Sequence, residues 1–141
     1  MTLFLRAPSD HPRNRLRLDG ASALVLTAIA FSDDATDRAT RLQLLGGRLQ
    51  LSVGDAALGD EFPRIDLSNA TVYVQDVASL AIESDGEGWS EVVVRTGRVE
   101  LLTDRGSTLV RAGESARITG TRSAAVRLGV APPADAFERW A

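Results

Sequence analysis

Val92-Val93-Val94-Arg95-Thr96-Gly97-Arg98-Val99-Glu100-Leu101 reads as an apolar strand, a glycine and a second strand in which Glu100 stands between Val99 and Leu101. The same grammar occurs earlier, in Leu45-Gly46-Gly47-Arg48-Leu49-Gln50-Leu51. Alternation with a period of two puts every second side chain on one face, the mark of a half-buried antiparallel strand. Glycine at the junction gives access to positive φ, where a Cβ would be strained. Two copies are fewer than the three or so that a repeat array needs, so the echo is expected to be a duplicated hairpin.

Outward from these segments the alternation continues. It takes in Leu16 and Leu18, Leu42 and Leu44, Leu51 and Val53, Ile65 and Leu67, Val72 and Val74, Leu80 and Ile82, and Ala116 and Ile118. Between the runs stand Leu58-Gly59-Asp60, Asp85-Gly86-Glu87-Gly88, Asp104-Arg105-Gly106 and Gly113, residues that favour tight turns. The spacing predicts about ten short strands. The fold class is all-β, built of stacked antiparallel hairpins as a β-sandwich or a β-solenoid-like stack. No strong helical period precedes the C-terminus, where Pro132-Pro133 ends strand-like sequence and Ala134–Ala141 reads as a short helical stub with Phe137 and Trp140 on one face. The expected organisation is a poorly ordered leader over 1–14, the β domain over 15–131, and a Pro-Pro linker with the start of a helix over 132–141.

The chain has 141 residues and a formal net charge of -3, enough length for one domain that buries roughly 70% of the surface its unfolded chain would expose. All 16 basic residues are Arg; there is no Cys, and the single His is His11. These absences exclude disulfide scaffolds, Cys-based zinc sites, Schiff-base lysines and any triad that needs a His within the domain. The pI near 5.1 and the scattered arginines give no basic face, so no nucleic-acid partner is expected. The tightest basic group, Arg13, Arg15 and Arg17, reads as a polar leader running into a strand. Ala21–Phe31 is too short to span a bilayer and reads as a buried strand.

Catalysis finds little material. The carboxylates cluster in predicted turns (Asp33, Asp34 and Asp37; Asp60 and Glu61; Asp85 and Glu87), where solvated tips are the ordinary reading; a glycosidase needs two such groups held across a sugar, one with its pKa raised. Ser84–Gly88 lacks the ligand spacing of a calcium loop. The expectation is therefore no enzyme, no cofactor and no metal.

From Phe62 onward the ordered motifs resemble the FecR-type domain, an extracytoplasmic β domain of bacterial signalling regulators that also occurs in secreted proteins. They are Ile65-Asp66-Leu67-Ser68-Asn69-Ala70-Thr71-Val72, then Ala78-Ser79-Leu80-Ala81-Ile82, then Val92 to Leu101, and last Leu109-Val110-Arg111-Ala112-Gly113-Glu114-Ser115-Ala116-Arg117-Ile118. Leu16–Val53 and the segment after Pro132-Pro133 resemble flanking parts of longer secreted relatives. The chain departs from the regulators in showing neither a helical anti-sigma region nor a membrane span. The resemblance implies a non-catalytic module of the periplasm or the secreted fraction, with an envelope protein as partner and a role in protein contact or signal relay.

Within that picture Gly47, Arg48, Gly97, Arg98, Val99, Leu101, Gly113 and Glu114 are fold-motif residues. Tyr73, Trp89, Phe137 and Trp140 are the candidate interaction surface. The alternative is a carbohydrate- or cell-wall-binding lectin-like domain, resting on Tyr73, Trp89 and the acidic turns. The oligomeric state and the binding edge stay open.

Overall fold

Among the described residues the alternation carries the chain through twelve strands in a computed structural model. They are β1 (Thr2–Arg6), β2 (Pro12–Leu18), β3 (Ala23–Ile29), β4 (Thr40–Val53), β5 (Arg64–Asp66), β6 (Thr71–Val74), β7 (Ala78–Ser84), β8 (Trp89–Thr96), β9 (Arg98–Thr103), β10 (Gly106–Arg111), β11 (Glu114–Thr119) and β12 (Ala125–Val130). The structure describes residues 2–6, 12–18, 23–29, 40–53, 64–75, 77–121 and 124–134; for 2–6, 12–18, 23–29, 40, 41 and 53 it describes the backbone alone. The all-β class holds throughout these residues. The leader contributes β1 and the start of β2, which pair antiparallel. The expected helical stub lies beyond them from Asp135 onward.

β4 sets the architecture. Its first half pairs antiparallel with β3 and parallel with β5; its second half pairs antiparallel with β2 and β7. One strand thus belongs to two layers, ordered β3-β4-β5-β6-β9-β10 and β1-β2-β4-β7-β8-β11-β12. The β4–β5 pair is parallel where alternation alone predicts antiparallel neighbours. A parallel neighbour requires a crossover, which the second half of β4, lying in the other layer, begins.

The two glycine echoes are the places where a strand changes layer. Leu42 and Leu44 enter the core before Gly46-Gly47, and Leu49 and Leu51 enter it after. Inward positions switch from even to odd numbers, so the strand turns over by one side chain, with Gly47 at φ 103°. Val92 and Val94 on β8 and Val99 and Leu101 on β9 repeat the switch around Gly97, whose φ is 76°. β8 pairs with β7 and β11 in one layer, β9 with β6 and β10 in the other. The expected duplicated hairpin is therefore corrected to a pair of strand corners. Neither segment folds back on itself, because one glycine at positive φ bends a strand without reversing it.

Both layers face one core. Leu42, Leu44, Ile65, Val72 and Leu101 line it from the first layer, and Leu49, Leu51, Leu80, Ile82 and Ile118 from the second, each at most 1% exposed. Full burial of such a side chain contributes roughly 1.5–3 kcal/mol before entropy is counted. β8 departs from alternation: Val92, Val93 and Val94 are all buried, so the strand is covered on both faces beside its corner. β12 departs in the other direction. Only Val126 packs against the core, and the strand is otherwise exposed.

Candidate interaction surface

The acidic turn between β7 and β8 is occupied by its own backbone. Asp85 Oδ1 accepts the N–H groups of Glu87 at 2.8 Å, Gly88 at 3.0 Å and Trp89 at 3.0 Å. These bonds, the one from Glu87 foremost, hold the carboxyl below its ordinary pKa. Asp66 is likewise engaged, accepting Arg64 Nε at 2.9 Å and the Thr71 hydroxyl at 3.3 Å. Asp66 in turn holds the Arg64 guanidinium above its ordinary pKa. Among the described residues no three metal-ligating side chains come together. His11, Asp33, Asp34, Asp37, Asp60 and Glu61 lie outside them.

The fold-motif residues occupy the corners. Arg48 lies 4.0 Å from Glu83. Gly97 closes tightly on β7: a Cβ there would stand 2.2 Å from the Val77 carbonyl oxygen. Arg98 is exposed, and its carbonyl accepts the Gln75 N–H at 3.2 Å. Val99 and Leu101 are fully buried. Gly113, at φ 85°, turns β10 into β11 and donates its N–H to the Val94 carbonyl at 2.8 Å. Glu114 Oε1 accepts the Arg111 N–H at 2.9 Å across the same turn.

The aromatic candidates do not form one surface. Tyr73 sits on the outer face of the first layer, with the Arg64 guanidinium 5.5 Å from its ring centre, where the cation meets the ring quadrupole. Trp89 is on the second layer at the start of β8, cross-strand from Thr119. Phe137 and Trp140 lie outside the described residues. The two described aromatics are thus on different layers and make no shared stacking platform.

One open cleft, of about 310 Å³, lies at the end of the sandwich among Ser68, Thr71, Leu102, Thr103, Asp104 and Thr121. Asn69 forms part of its wall, and the amide is already committed. Its Nδ2 donates to the Ile118 carbonyl at 3.3 Å, and its Oδ1 accepts the Ser90 hydroxyl at 3.1 Å. Ser90 is fully buried and lies 3.1 Å from the Ser84 hydroxyl. This network joins the β5–β6 turn to β8 and β11. It supplies hydrogen bonds for buried polar groups and contains no nucleophile–base pair.

The sequence reading missed the edge at β12. Arg127, Leu128, Gly129 and Val130 are exposed there, with Leu128 at 43% and Val130 at 89%. Beyond the strand Ala131 donates its N–H to the Gly113 carbonyl at 2.9 Å, and the Arg95 guanidinium donates to the Pro132 carbonyl. The available signal was the alternation Val126, Leu128, Val130.

No family model matches the chain, and no curated protein matches it. Two crystal structures of a "putative anti-sigma factor" from Parabacteroides distasonis share its fold, with TM-scores of 0.70 and 0.68. Each is 16% identical over 93% of this chain and 55% of the other. The chain therefore spans little more than half the length of these neighbours, and the likeness is one of fold.

Proposed function

We propose that the chain is a FecR-type, non-catalytic module of the bacterial envelope, periplasmic or secreted, that relays a signal by binding another protein. The observation that carries this reading is the fold shared along 93% of the chain with proteins described as anti-sigma factors. The ordered motif series from Ile65 to Ile118 supports it. So does the chemistry of the described polar groups: Asp85, Asp66 and Asn69 spend their hydrogen bonds within the fold. An antiparallel module of this kind binds through its surface and edges, where main-chain groups need no special side chains.

The test is fractionation of the cell that makes the protein, followed by cross-linking in the intact envelope. The expected result is recovery in the periplasmic or secreted fraction, joined to a discrete protein partner. Recovery in the cytoplasm, or cross-linking to no protein, contradicts the reading.

A further inference from the structure

A row of charges crosses the outer face of the second layer and stops unfinished at its edge. Cross-strand register aligns Arg48 on β4, Glu83 on β7, Glu91 on β8, Arg117 on β11 and Arg127 on β12. Arg48 faces Glu83 at 4.0 Å, and Arg117 Nε donates to Glu91 Oε2 at 2.8 Å. Arg127 is opposite Arg117, and like charges directly opposed across strands are destabilising. Among the described residues Arg127 is exposed and has no ion pair.

Among the described residues the backbone at this edge is also unfinished. Gly120 donates its N–H to the Gly88 carbonyl at 2.8 Å, and Ala131 donates to the Gly113 carbonyl at 2.9 Å. Together these fix the phase of the ladder: even residues of β11 bond to β8, and odd residues bond to β12. Antiparallel pairing then turns Ala125, Arg127 and Gly129 toward β11, and the N–H and C=O groups of Val126 and Leu128 outward. Farther along, the Val130 carbonyl accepts the Ser115 hydroxyl at 3.4 Å. On the core side of the strand Leu128 and Val130 remain exposed beyond Val126.

We propose that β12 docks an extended segment of a protein partner as one further strand, with a carboxylate opposite Arg127 and an apolar residue on each side of it. The carboxylate completes the charge row, and the apolar neighbours cover Val126 and Leu128. Arg127 and its new neighbour form a non-hydrogen-bonded pair, the kind in which side chains approach most closely. A second copy of this chain fits less well. Pairing β12 with itself about Leu128 sets Arg127 against Gly129 and gathers two unpaired guanidinium groups on one face with no added carboxylate.

The proposal rests on the protein-binding reading above, and its test separates the two. The probes are the blocked peptides Thr-Val-Glu-Val-Thr and Thr-Val-Arg-Val-Thr, titrated into the full chain while the amide resonances of Val126 and Leu128 are followed. The acidic peptide is expected to bind about two- to fivefold more tightly, the range of one cross-strand charge pair. Arg127→Glu is expected to reverse that order. Leu128→Pro, which removes an outward N–H and leaves the β11 ladder intact, is expected to abolish binding of both peptides with an unchanged far-UV spectrum. Absence of shifts at β12, equal affinity for both peptides, or binding undiminished by Leu128→Pro overturns the proposal. So does a dimer in sedimentation that Leu128→Pro splits, which assigns the edge to a second copy. An envelope partner that still cross-links to both variants removes the docking edge and leaves the protein-binding reading standing; no partner for the unaltered chain removes that reading itself.

Discussion

The corner at Gly97 and the edge at β12 are both places where a sheet leaves backbone groups to be satisfied, and they differ in whether the fold satisfies them. At the corner the Gly97 carbonyl accepts the Ala112 N–H at 3.0 Å, the Val94 carbonyl accepts the Gly113 N–H at 2.8 Å, and the Arg98 carbonyl accepts the Gln75 N–H at 3.2 Å. Val94 and Val99 on either side are fully buried. At the edge, Val126 and Leu128 present outward groups, Val130 is 89% exposed, and Arg127 faces another arginine. The corner is closed upon itself and belongs to stability. The edge has capacity left over, and that capacity is what a binding module can use.

This contrast makes substitutions at the corner costly to the fold and substitutions at the edge cheap. Gly97→Ala has the largest expected effect. A Cβ there meets the Val77 carbonyl oxygen at 2.2 Å and Ala78 at 2.8 Å, at φ 76°. Left-handed strain combined with overpacking predicts a loss of about 2–5 kcal/mol in urea denaturation. Asn69→Ala comes next. It strips a partner from the Ser90 hydroxyl and from the Ile118 carbonyl, and removing a partner from buried polar groups costs about 1–3 kcal/mol. Denaturant midpoints within error of the parent would show that the cleft wall is not held by this network.

Gly113→Ala sharpens the comparison because the sequence grammar around it matches that at Gly97. Its φ is 85°, yet a Cβ would meet nothing within 4 Å. Strain acts alone, so the expected cost is about 1–2 kcal/mol, measurably below that of Gly97→Ala. Equal costs would mean that the close approach to Val77 is relieved by movement of β7.

Asp85 gives a smaller effect with a defined pH direction. Its carboxyl pKa is lowered in the folded chain, first by the Glu87 N–H, so the group binds its proton less readily folded than unfolded. Its contribution is present above the unfolded carboxyl pKa of about 4 and is lost as pH falls through the lower folded value. Asp85→Asn is expected to lower stability modestly at neutral pH, where the charged form contributes, and to flatten the acid limb so that variant and parent converge below about pH 4. An unchanged acid limb would remove this turn from the acid sensitivity of the fold.

The fold class was legible because alternation and glycine punctuation are local. The corners were half legible. The change of parity from Leu44 to Leu49 and from Val94 to Val99 is visible in the sequence, but whether a glycine bends a strand or reverses it depends on which strands lie alongside. The parallel β4–β5 pair was illegible for the same reason, since register between distant segments leaves no local trace. Gly97 and Gly113 look alike in sequence and differ only in what stands opposite the missing Cβ. β12 went unread because Arg127, Gly129 and the following Pro132-Pro133 obscure the alternation of Val126, Leu128 and Val130. What marks it is Arg117, which stands opposite Arg127 on a neighbouring strand. Tyr73 and Trp89 were conspicuous as rare aromatics, and rarity carries no information about which layer a residue joins.

The sharpest separation of stability from binding is Leu128→Pro, measured for both in the same preparation. Proline is tolerated on an edge strand where its missing N–H would face solvent, so the unfolding free energy is expected to change by less than about 1 kcal/mol, as for a surface substitution. Cross-linking to the envelope partner is expected to fall to background. Full cross-linking by the stable variant would contradict the central claim that this module works through the open edge of β12.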